Sequence, residues 1–152
     1  MDESRIGFNT GHVGLNVTDL ARSVDFYTDV FGFAVAGRSE DPARPYAFLA
    51  QDRDLVLTLW EQSAGRFATD RPGLHHLSFQ VAAIEDVAAV QRRAESRGAR
   101  VLHGGIVPHG EGRTSGGVYF EDPDGVRLEV FTAEGADRAP APTPGVPTCG
   151  FF

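Results

Sequence analysis

A chain of 152 residues with 41% hydrophobic content has room for one domain with a sizeable core and is too short for two ordinary ones. Fourteen Lys and Arg against twenty-one Asp and Glu leave a formal charge of −7, which repels a phosphate backbone and excludes nucleic acid as the expected partner. The single cysteine, Cys149, excludes an internal disulfide, a Cys-rich zinc site and a redox pair, so any metal must be held by His and carboxylate.

Met1 to Gly11 lacks a basic stretch followed by an apolar core, and no apolar run approaches the roughly 20 residues of a membrane helix. A soluble, cytoplasmic chain without a membrane partner is expected. His12 to Val17 alternates, with Val13, Leu15 and Val17 on one face and His12, Gly14 and Asn16 on the other, as a half-buried strand does. Asp19 is placed to cap a helix in which Leu20, Val24, Tyr27 and Phe31 recur at helical spacing until Gly32 ends it. A strand at Phe33 to Arg38 follows. The runs Tyr46 to Ala50 and Leu55 to Trp60 flank Gln51-Asp52-Arg53-Asp54 and read as a hairpin. The first module, residues 8–62, is thus βαβββ.

After Arg71-Pro72-Gly73, the run His76 to Val81 repeats the first strand: His12 matches His76, Leu15 Phe79, Asn16 Gln80 and Val17 Val81. A helix from Ile84 to Arg97, a strand from Ala99 to His103, and a hairpin of Gly117 to Phe120 and Val126 to Phe131 around Asp122-Pro123-Asp124-Gly125 complete the second module, residues 74–132. Laid on Ala47 to Trp60 without gaps, Val118 to Phe131 pairs Phe48 with Tyr119, Leu57 with Leu128 and Thr58 with Glu129. The fold class is therefore α+β, a duplicated domain at residues 8–132. Residues 133–152 shift to Ala, Pro and Gly and read as a C-terminal tail too poor in apolar side chains to order itself. Phe151 and Phe152 would allow its last few residues to dock, with Cys149 sheltered; a solvated tail with an exposed thiol is the competing reading.

His12 and His76 occupy the same position in the two repeats, and Glu129, between Leu128 and Val130, points to the face they share. Two imidazoles and one carboxylate suit Fe(II), Mn(II), Ni(II) or Zn(II), and three protein ligands leave positions open for a small-molecule substrate.

The segments GHVGLNVTDLARSVDFYTDVFGF (11–33), GLHHLSFQV (73–81) and GVYFEDPDGVRLEVF (117–131) resemble the vicinal oxygen chelate superfamily, which includes glyoxalase I, extradiol dioxygenases, fosfomycin-resistance transferases and bleomycin-resistance proteins. The resemblance implies two modules forming a curved mixed sheet or half-barrel around a metal site, helices on the outer face, His12, His76 and Glu129 as ligands, and a homodimer. Glyoxalase I uses a further Glu or Gln where this chain has Thr58; Glu61 lies three residues on. Fosfomycin transferases place a Thr where Gly14 stands and a Ser near Gly117. Extradiol dioxygenases, favoured with Fe(II), have a Tyr ten residues before the Glu, matched by Tyr119, and open that signature with a His that His109 resembles. Tyr119 and His109 are accordingly the expected catalytic residues. The acid–base His of those dioxygenases is missing near Trp60, so His75, His103 or His109 would have to replace it. A lyase or isomerase, and a protein that binds a drug or toxin without turnover, are the alternatives.

Overall fold

The computed structural model describes residues 5–152; Met1–Ser4, part of the segment read for a leader, lie outside them. Strand β1 (Val13–Val17) leads into helix α1 (Leu20–Phe31), followed by β2 (Ala34–Arg38), β3 (Tyr46–Gln51) and β4 (Asp54–Glu61). β5 (Leu77–Gln80), α2 (Ile84–Ser96), β6 (Val107–Pro108), β7 (Gly116–Glu121) and β8 (Arg127–Thr132) repeat the pattern. The sheets run β1-β4-β3-β2 and β5-β8-β7-β6, with β1 parallel to β4 and β5 parallel to β8. The same order in both halves bears out the duplicated α+β reading; the sheets stay open and do not close into a barrel.

Register confirms the alignment that pairs Thr58 with Glu129. Gly14 lies opposite Thr58 in the first sheet, and Ser78 opposite Glu129 in the second. Alternation then divides each sheet. Leu15, Val17, Leu57 and Leu59 face the helices with Leu128, Val130, Val118 and Phe120, all in one core. Burying each such side chain contributes about 1.5–3 kcal/mol. Glu129, Tyr119 and Phe131 lie on the opposite face.

Helix α1 starts where Asp19 accepts from the Arg22 N–H at 2.9 Å and ends where Gly32 takes φ 75°, as the sequence predicts. Its Phe26 and Phe31 pack against Phe120 and Phe79 of the second module, with ring centroids 5.0–6.4 Å apart. The turn between β7 and β8 grips the same helix: Tyr27 donates to Asp122 at 2.8 Å, Arg22 pairs with Asp124 at 3.0 Å, and the Thr18 hydroxyl also donates to Asp124.

The strand expected at Ala99 to His103 is a correction. Only Val101 bridges to Phe120, and the named edge strand is β6, further along the chain. His103, Gly104 and Gly105 all have positive φ, so the backbone turns away from the ladder before it can lengthen. The tail also holds more structure than its composition suggests. Ala136 is buried and donates to the Thr114 carbonyl, and Thr148–Gly150 forms a 3₁₀ turn whose Thr148 donates through N–H and hydroxyl to the carbonyls of His109 and Pro108. The second module supplies acceptors that the tail itself lacks.

Candidate active site

Glu129 is the centre of the second module's concave face. β8 carries it opposite Tyr119 of β7, and the Tyr119 hydroxyl donates to Oε1 at 2.9 Å. His109 Nε2 lies 2.6 Å from the same oxygen, and His76 Nε2 lies 3.5 Å from Oε2. Since the carboxylate only accepts, His109 Nε2 carries the hydrogen of that bond, and its Nδ1 lies 3.0 Å from the Ser115 hydroxyl. A cavity of about 700 Å³ opens beside these groups, lined among others by Ser78, Arg113, Phe131 and Cys149.

Burial pulls Glu129 toward its protonated form, but hydrogen bonds from His109, Ser78 and Tyr119 outweigh it and hold the carboxyl below its ordinary value. Tyr119 shifts the other way: burial, then the Glu129 charge and bond, keep its phenol protonated well above the usual range. Burial lowers His76 against the raising effect of Glu129. Burial and the nearby Glu129 raise the Cys149 thiol.

Of the residues singled out from sequence, His76, His109, Tyr119 and Glu129 come together here. His12 is exposed and lines a different cavity, of about 680 Å³, between the start of β1, residues 54–56 and β5. Among the described residues, no three His, Cys, Asp or Glu side chains are grouped so as to hold a metal ion. The donors suit such an ion in kind, imidazole nitrogen beside a carboxylate, but the first module's histidine is apart from them.

Among the described residues, the first module brings no second carboxylate to the position equivalent to Glu129. Thr58 is buried and accepts from the Trp60 indole N–H at 3.0 Å, and Glu61 accepts from the Leu20 N–H at 2.7 Å, a bond to the start of α1. Near Gly117 a Cβ would lie 2.0 Å from the Val130 carbonyl oxygen, so β7 admits no side chain there.

Ser115 carries no signal in the sequence, because its contact with His109 joins residues six apart that no periodicity links. Phe152 was a better-marked signal. Its ring lies on His75, His76, His103 and Tyr119, with centroids 5.5–6.1 Å away, and the Arg127 guanidinium carbon lies 4.8 Å from its centroid.

The Glyoxalase/Bleomycin resistance protein/Dioxygenase superfamily pattern matches residues 9–130. A catechol-2,3-dioxygenase of Bacillus subtilis (strain 168) is 27% identical over 130 residues, covering 84% of this chain but only 41% of its own length. A lactoylglutathione lyase of Escherichia coli O157:H7 is 30% identical over 136 residues, covering 84% of this chain and 94% of that one. A glyoxylase/bleomycin resistance protein/dioxygenase domain from Frankia sp. EAN1pec superposes with a TM-score of 0.70 at 24% identity, over 85% of this chain and 94% of the other. A fosfomycin resistance protein variant from Listeria monocytogenes, solved with Mn(II) and 1S,2S-dihydroxypropylphosphonic acid, superposes at 0.62 with 20% identity, over 82% and 92%. With that match over most of its length and the duplicated sheets that carry it, this chain belongs to the glyoxalase/bleomycin resistance protein/dioxygenase superfamily.

Proposed function

We propose that the chain is an enzyme acting on a small oxygen-bearing organic substrate, with one divalent metal ion held by His12, His76 and Glu129. The observation that carries this reading is the convergence of His76, His109 and Tyr119 on one buried carboxylate beside a cavity of about 700 Å³. His12 completes the set from a second copy in a homodimer, because within one chain it lies in another cavity. When bound, the ion supplies Lewis acidity toward the substrate oxygens. Tyr119 orients a substrate hydroxyl, and its phenol stays protonated while doing so. His109, fixed by Ser115, holds Glu129 in place.

An extradiol-dioxygenase type of reaction with Fe(II) leads, with Mn(II), Ni(II) or Zn(II) as other ions for the same donors. Thr58 supports it, since a lyase of the glyoxalase type needs a carboxylate base where this hydroxyl is tied to Trp60. The near-complete coverage of a lactoylglutathione lyase favours the lyase reading as the second.

Metal analysis of protein purified without chelator, with oxygen uptake measured against a panel of catechols, tests the proposal. One metal per chain and ring-dependent uptake are expected. Metal without uptake, together with turnover of a hemithioacetal, transfers the assignment to the lyase. His76→Ala is expected to lose most of the metal, and unchanged stoichiometry in that variant would remove His76 from the ligand set.

A further inference from the structure

The three spare histidines of the second module differ in their hydrogen bonds. His109 uses both ring nitrogens, on Glu129 and Ser115, and His75 Nδ1 lies 2.9 Å from His76 Nδ1. His103 differs. Its Nε2 is buried with no partner, and its backbone holds φ 55°, a left-handed conformation uncommon outside Gly, Asn, Asp and His.

The ring of His103 stands edge-on to Tyr119 at 5.6 Å, with an interplanar angle of 87°, and is stacked on Phe152 at 5.9 Å and 26°. Phe152 therefore covers an orphaned imidazole next to the phenol that bonds Glu129. Its own hold is partial: it remains 38% exposed, whereas Phe120 of the core is fully buried. An apolar ring stacked on this imidazole offers its unpartnered nitrogen no hydrogen bond, while a ring bearing a hydroxyl can.

We propose that Phe152 is a displaceable cap over a subsite formed by His103, Tyr119 and Arg127, and that this subsite takes a planar ring carrying a hydroxyl group. The proposal rests on the concave face around Glu129 being the substrate side. The surrounding chemistry fits such a ring. Tyr119 and His103 present aromatic surfaces at right angles, Arg127 sets its guanidinium over the ring face, and His103 Nε2 meets the hydroxyl. Burial lowers His103, which keeps its ring neutral and able to accept.

Carbethoxylation of the histidines by diethyl pyrocarbonate, read peptide by peptide by mass spectrometry, tests this with phenol as the ligand probe. In Phe152→Ala the labelling of His103 should rise about five-fold over the unsubstituted chain, since the cap no longer protects it. His109, held on both nitrogens, should label at an unchanged rate and so separates local uncovering from general loosening. Phe152→Trp should keep His103 slow, and phenol added to Phe152→Ala should slow it again. Equal labelling of His103 with and without the Phe152 ring overturns the cap, and failure of phenol to protect the alanine variant overturns the ring subsite. Both readouts are independent of metal. Metal content measured on the same samples reports on the ligand assignment separately.

Discussion

Asp122 shows how a residue outside the site holds it in place. Its carboxylate accepts from Tyr27 at 2.8 Å and from the N–H groups of Asp124 and Val126 at 2.9 Å, at the turn that aims β8 and hence Glu129. Burial nevertheless raises its pKa above the ordinary value, outweighing those bonds. A raised folded-state value means that folding favours the protonated form. Stability from this group is thus full below the unfolded value of about 3.9 and falls as pH rises through the raised one. Asp122→Asn keeps the shape without the charge, so its urea midpoint should gain on the unsubstituted protein as pH climbs through that window. A constant difference between the two would show that the carboxylate is not strained by burial. At this scale the sequence was legible where repeats supplied a second copy to compare: His76, Glu129 and Thr58 were placed by their equivalents. Ser115 and His103 were not, because the first depends on a loop folding back and the second on a nitrogen left without a partner.

Among the elements, helix α1 carries the clearest local signals, and the structure adds one that comes from another strand. Asp19 caps it from within, while Glu61 at the end of β4 accepts from Leu20 N–H. The spacing of β4 alone made Glu61 a remote candidate for a metal; only the return of the chain past the helix start gives it this use. Glu61→Ala should cost about 0.5–2 kcal/mol in stability, as loss of a helix-terminal acceptor does, with metal content unchanged. A metal loss with no change in unfolding midpoint would instead make Glu61 a ligand. The missing strand at Ala99 to His103 has the converse lesson. Its apolar residues fit a strand, but the positive φ at His103, Gly104 and Gly105 redirects the chain. A window that weighs hydrophobicity reads the residues and overlooks the turn that follows them.

On the scale of the whole molecule, duplication explains both what the chain provides and what it lacks. Each module presents the same face, yet among the described residues only the second carries a buried carboxylate with hydroxyl and imidazole donors around it; the first offers His12, Thr58 and Trp60. The sequence showed two equivalent histidines but not their separation, because equivalence in a repeat fixes position within a module and says nothing of the distance between modules. If each site joins His12 of one copy to His76 and Glu129 of another, the arithmetic of a mixture is definite. His12→Ala and Glu129→Ala chains, each unable to complete a site alone, would form a heterodimer with one site doubly broken and one intact. Random pairing of equal amounts makes about half of the dimers mixed, so about a quarter of the normal metal content should return on co-refolding. The separate variants should stay near zero, and a double variant carrying both substitutions on one chain, mixed with unsubstituted chain, should leave every heterodimer without an intact site. Recovery in the first mixture and none in the heterodimers of the second distinguishes a site shared between copies from one closed within a chain, for which the first mixture recovers nothing.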